Sequence, residues 1–159
     1  MLSAGTLFTC AYNGDGSVSG VSVSCFGNNG SGQVGNGTTT NSAVPVLVAN
    51  AFNFASVSAG GSHACGLSPY GIAFCWGNNS SEQLGNGTTT NSATPVAVAG
   101  SLDFAMVSAG GSHTCGVTSY RGGIAPGGAA YCWGDNTYGQ LGNSWTTSSS
   151  VPVNVAGPP

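Results

Sequence analysis

Ser108-Ala109-Gly110-Gly111-Ser112-His113-Thr114-Cys115-Gly116, followed by Tyr131-Cys132-Trp133-Gly134-Asp135-Asn136, is the stretch on which the reading of this chain turns. The same pair stands earlier at residues 58–66 and as Phe74-Cys75-Trp76-Gly77-Asn78-Asn79. A worn copy, Ser3-Ala4-Gly5 through Cys10 with Ser24-Cys25-Phe26-Gly27-Asn28-Asn29, opens the chain. Other landmarks recur in step: Gly32-Gln33-Val34-Gly35-Asn36, Glu82-Gln83-Leu84-Gly85-Asn86 and Gly139-Gln140-Leu141-Gly142-Asn143. Polar tracts then end in Pro45-Val46, Pro95-Val96 and Pro152-Val153. From His63 to His113 the interval is 50 residues, a length that suits one supersecondary unit per repeat. Three repeats are therefore expected: 1–50, partial and divergent; 51–100; and 101–159, with a spare C-terminal strand.

Residues 44–48, 54–57, 63–67 and 72–76 alternate apolar and small side chains between Gly, Asn, Ser and Pro, so each predicts a short strand. Helical periodicity is missing beyond a possible turn at Gln83-Leu84. The expected fold is all-β, three propeller-blade-like repeats of about four short strands each, an incomplete β-propeller. The chain starts at a Ser-Ala-Gly strand and finishes after the Pro-Val strand at 151–155. The first repeat should then lack a strand that the last has to spare. Exchange of that strand between copies would remove two sheet edges and build a ring or a filament.

Cys65 and Cys75 flank Pro69-Tyr70-Gly71, Cys115 and Cys132 flank residues 119–128, and Cys10 and Cys25 flank Asn13-Gly14-Asp15-Gly16. Each pair lies on the two arms of one predicted hairpin, where opposed residues come within bridging distance. Repeat symmetry selects Cys10–Cys25, Cys65–Cys75 and Cys115–Cys132 among the possible connectivities. One widely spaced pair per repeat, with no close Cys pair, fits zinc poorly. Disulfides imply an oxidising compartment, so an extracellular or cell-surface location is expected. No signal peptide is recognisable, which suggests a mature product or a fragment.

Charged residues make up only 3% of the chain: Arg121 is its one Lys or Arg, and its acids are Asp15, Glu82, Asp103 and Asp135. Phosphate binding rests on Lys and Arg, so nucleic acid is excluded as a partner. An anionic membrane surface is disfavoured for the same reason. No apolar run is long enough to span a bilayer as a helix. Hydroxyls, amides, attached glycans or burial in an assembly must keep such a surface soluble.

His63 and His113 could ligate a metal or move protons, but acidic or Cys partners at suitable spacing are lacking, and Phe8 fills their place in the first copy. Both are read as structural. Asn13-Gly14-Asp15-Gly16-Ser17 resembles the start of a calcium loop without its closing Glu, and reads better as a hairpin turn. No cofactor or metal is expected. Among Tyr120, Tyr131, Tyr138 and Trp145, the last two lie in polar loops and are the binding candidates. Asn29, Asn36, Asn78, Asn79 and Asn86 fit the N-glycosylation pattern. The Ser/Thr tracts at 38–42, 88–92 and 146–150 could carry O-linked sugars, and Gly157-Pro158-Pro159 reads as the start of a stiff Pro-rich extension.

Gly60-Gly61-Ser62-His63, Trp76-Gly77-Asn78-Asn79, Glu82-Gln83-Leu84-Gly85-Asn86 and Pro95-Val96 together resemble the repeat of the regulator of chromosome condensation family, and the third copy carries the same signature. The resemblance implies a β-propeller, usually of seven blades, with the tryptophans packed between blades. Members include a nuclear exchange factor, secreted bacterial β-lactamase inhibitors and ectodomains of Crinkly-type plant receptor kinases. The cysteine-bearing hairpins look like the secreted and cell-surface branch. The expected function is an extracellular structural or assembly module, a building block of an appendage, fibre or coat, partnered by itself or by further repeats and open to glycosylation. The alternative is a binding module whose loops recognise a protein or a carbohydrate. No enzyme is expected, because the few ionisable groups assemble no acid–base pair or activated nucleophile.

Overall fold

The computed structural model describes residues 2–13, 22–51, 53–120 and 128–156. Among them the first sheet holds β1 (Leu2–Ala4), β2 (Phe8–Asn13), β3 (Ser22–Gly27) and β4 (Ser42–Leu47). The second holds β5 (Ser56–Ala59), β6 (His63–Leu67), β7 (Ala73–Gly77) and β8 (Ser92–Ala97). The third holds β9 (Phe104–Ala109), β10 (His113–Thr118), β11 (Ala130–Gly134) and β12 (Ser149–Asn154). Each sheet is an antiparallel meander in chain order, one blade per sheet. Among the described residues the only helical element is a 3-10 turn at Ala49–Ala51. The 14–17 portion of the candidate calcium turn, Arg121 and residues 157–159 lie outside the described residues.

The three cysteine pairs face each other directly across the central hairpins, with Cα atoms 4.1, 4.0 and 4.1 Å apart, and all three are disulfide-bonded. One residue past the second cysteine the ladder slips, between Cys25 and Gly27, Cys75 and Gly77, and Cys132 and Gly134. The glycine after the slip has φ of 114°, 105° and 102°, a conformation costly for any side chain. The bulge re-aims the intervening aromatic at the preceding blade. Trp76 Nε1 donates to the Gln33 carbonyl at 3.0 Å, and Trp133 Nε1 to the Gln83 carbonyl at 3.0 Å.

The core lies between blades. Phe8, Val34, Phe54, Ala64 and Trp76 are buried together between the first and second. Leu67, Leu84, Phe104 and Trp133 are buried between the second and third. A single four-stranded sheet has no interior of its own, so stacking on a neighbour supplies it.

The expected spare strand is not there. The Pro-Val strands pair back onto their own hairpins, with Cys25 opposite Val46, Cys75 opposite Val96 and Cys132 opposite Val153. The first sheet is thus complete, β12 is engaged by β11, and strand exchange between copies is overturned. Hydrophobic alternation identifies strands but not which neighbour each one joins across a long loop.

Candidate interaction surfaces

At one end of the blades, three long loops (28–41, 78–91 and 135–148) each fold over one buried asparagine: Asn29, Asn79 and Asn136. In the second blade, Asn79 Oδ1 accepts the Leu84 N–H at 2.9 Å, while its Nδ2 donates to the Thr88 and Thr90 carbonyls at 2.9 and 3.1 Å. Asn29 makes the equivalent bonds with Val34, Thr38 and Thr40, and Asn136 with Leu141, Trp145 and Thr147. The glutamine four residues on braces the turn. Nε2 of Gln33 and of Gln83 donates to Oδ1 of Asn28 and Asn78 at 2.7 and 3.0 Å, and Gln140 Nε2 reaches Asp135 Oδ2 at 2.9 Å. The Thr137 hydroxyl, at 2.6 Å, is the chief cause holding the half-buried Asp135 carboxyl below the usual carboxylate range.

This geometry corrects the glycosylation reading. Asn29 and Asn79 bury the nitrogen that a glycan would need, and that nitrogen is already bonded to backbone carbonyls. Asn36, Asn78 and Asn86 are half-buried. Oδ1 of Asn36 accepts the Thr38 N–H and hydroxyl at 3.1 and 2.8 Å, and Asn86 does the same with Thr88 at 3.2 and 2.9 Å. Sequence reading missed the buried asparagines as loop organisers. The signal was present: Asn136 holds the same place although Tyr138 removes its sequon.

His63 is fully buried between the second and third blades. The Thr114 hydroxyl donates to the Gln83 carbonyl at 2.9 Å, so it accepts from His63 Nε2–H at 2.9 Å. Nδ1 is buried without a partner among the described residues, as suits a neutral ring. Burial first, and then the charge of His113, lowers its pKa to about 4. The ring is a clasp between blades. His113 is half-buried on the far side of the third blade.

The two blade junctions use one set of hydrogen bonds twice. Ala59 N–H donates to Ser3 Oγ at 2.9 Å, and Ala109 N–H to Ser58 Oγ at 3.0 Å. Thr6 N–H reaches the Gly60 carbonyl at 3.3 Å, and Gly61 N–H the Gly110 carbonyl at 3.1 Å. Gly37 N–H reaches the Ala93 carbonyl at 2.9 Å, and Gly87 N–H the Ser150 carbonyl at 2.8 Å. The outer face of the third blade repeats one half of this set with Ser108, Gly111 and Ser144. The outer face of the first blade repeats the other half with Ala4, Gly5 and Ala43.

Of the aromatic candidates, Tyr138 and Trp145 are 91% and 71% exposed on the same loop of the third blade. Tyr120 is exposed at the opposite end of the blades, and Tyr131 packs against the second core. Tyr138 holds the position of Ser31, whose hydroxyl accepts from Asn78 Nδ2 of the following blade at 3.4 Å.

The model of the regulator of chromosome condensation (RCC1) repeat matches residues 22–67, 70–117 and 127–159. The chain belongs to the RCC1 repeat family. A second RCC1 repeat model matches residues 54–83. The first matched unit runs from β3 to β6, so an RCC1 repeat lends two strands to each of two neighbouring blades. Among solved structures, human WBSCR16 is similar at 22% identity and a TM-score of 0.79, over 97% of this chain and 37% of that protein. Yeast RCC1 (Prp20), solved bound to Kap60, is similar at 20% identity and a TM-score of 0.79, over 99% of this chain and 37% of its own. The entire ectodomain of the Physcomitrella patens receptor kinase CR4 is similar at 25% identity and a TM-score of 0.53, over 85% of this chain and 30% of that one. The chain thus spans a little over a third of the length of the first two, and the likeness to them is one of fold. No curated protein sequence matches it.

Proposed function

We propose that this chain is a non-catalytic, extracellular assembly module whose disulfide-stapled RCC1 blades build a larger body by stacking with further copies of themselves. The observation that carries the reading is the pair of outer blade faces, which hold the two halves of a contact set already used twice inside the chain. Three disulfides that consume every cysteine support an oxidising compartment. The near absence of charge supports a surface meant for burial or for glycans, with Asn36, Asn78 and Asn86 as the acceptors still open to attachment. Sedimentation velocity of the oxidised chain tests it. Species heavier than the monomer, growing with concentration through the micromolar range, are expected. A single monomer-sized species throughout overturns the reading.

One observation favours a second reading, a binding module. Tyr138 and Trp145 stand exposed together on one loop, and aromatics of this kind anchor interfaces. The relative bound to Kap60 shows that a propeller of this family can receive a protein partner. Under that reading Trp145→Ala abolishes capture of a protein or glycan ligand while the oligomeric state stays monomeric.

A further inference from the structure

The two junctions inside the chain differ at one matched pair of positions. Phe8 and Ala64 are both buried in the apolar cluster between blades one and two. Between blades two and three the same positions hold His63 and Thr114, joined at 2.9 Å. The outer face of blade three presents His113, and the outer face of blade one presents Thr9, the residue aligned with Ala64 and Thr114; both are half-buried. The outer faces therefore carry the polar version of the pair, in the right order.

Glycine supplies a second, independent observation. A Cβ on Gly61 would stand 2.4 Å from the carbonyl oxygen of Gly111 in the next blade, so that position must be bare. Gly111 occupies the same position in blade three, yet a Cβ there would meet nothing within 4 Å, and its φ is not in the left-handed region. Among the described residues nothing requires a glycine there, and it matches the glycine at the junction of blades two and three; Thr6 holds the position at the first junction, where the bond to Gly60 is longer, 3.3 Å against 3.1 Å.

Apolar surface completes the match. Val44, 63% exposed on blade one, stands where Thr94 reaches the Gly37 loop of the preceding blade. Tyr138 stands on blade three where Ser31 touches the following one. Phe26 replaces the indole that would donate to the Gln140 carbonyl, leaving the Thr9 hydroxyl to fill that role as Thr114 does for Gln83.

Building on the self-association proposed above, we infer that the outer face of blade three of one copy seats the outer face of blade one of a second copy, with His113 against Thr9 and Gly111 against the backbone at Thr6.

Sedimentation equilibrium on the full chain and its variants tests the pairing. Gly111→Ala is expected to leave thermal unfolding unchanged and to weaken association by about tenfold or more, since a side chain then stands in the seat. His113→Phe and Thr9→Ala should each weaken it by about tenfold, through a lost buried hydrogen bond. The double variant, which recreates the Phe8 and Ala64 pair, should recover most of that loss. If the native chain associates but none of these variants changes its association constant, this pairing is wrong while self-association stands. If the native chain is a monomer, both fall together.

Discussion

Burial keeps His63 neutral, and that has a measurable cost in acid. Its pKa falls from an ordinary 6.5 to about 4 in the folded chain. Above pH 6.5 both folded and unfolded forms carry the neutral ring, and stability is full. As pH drops from 6.5 toward 4, the unfolded chain takes up a proton that the native ring refuses. Native stability should therefore fall by on the order of 3 kcal/mol across that window and by no more from this group below it. Denaturant titrations at neutral pH and near pH 4 measure the loss. A His63→Gln variant, which cannot titrate, should show a flatter profile, and a native protein with no such loss would refute the clasp. The buried asparagines act differently at this scale. They carry no charge, and they satisfy loop backbone groups that water cannot reach, which is why one amide can shape fourteen residues of loop.

Among elements, the central hairpin of each blade is the strongest unit. Cys65 and Cys75 are ten residues apart and directly opposed. Closing a loop of that size contributes roughly 2–3 kcal/mol through the unfolded chain. Replacing both with Ser should lower the unfolding free energy of the oxidised protein by about that much, read as a drop in the denaturation midpoint. An unchanged midpoint would mean that the bridge adds nothing the ladder lacks. The loop from β7 to β8 does the opposite kind of work. It carries no covalent tie, yet it returns the Pro-Val strand to its own hairpin, because Asn79 gathers both ends of the turn at once.

For the whole molecule, what matters is how blades grip one another. Gly85 lies beneath the Trp133 indole, and a Cβ there would stand 2.5 Å from Nε1. Gly85→Ala should push the indole off the Gln83 carbonyl and cost roughly 1–3 kcal/mol, with a red shift in tryptophan emission. The aligned Gly142→Ala, whose nearest neighbour would be Val155 at 3.1 Å, should cost the isolated chain less. A larger effect at Gly142 than at Gly85 would contradict this picture of the junction.

Much of this plan was legible in the residues. Cysteines on two arms of a hairpin announce their partners, and the family resemblance carried by the recurring Trp-Gly pair implies an aromatic between blades, though not the bulge that aims it. The grouping of strands into sheets was not legible, because the bond that decides it runs through a buried amide across a loop whose sequence looks merely polar. Asn29 and Asn79 were hidden for the same reason: the sequon pattern describes a surface acceptor, and only the fold turns them inward.

The strand order has one further result. Since each meander is drawn from a single unbroken run of polypeptide, its partners emerge from the ribosome one after another. The strands of the first sheet can pair and oxidise early, and the sheet gains its packed face once the second docks on it. Each later sheet can then dock onto the one before it, so few long waits between distant segments leave sticky edges unguarded.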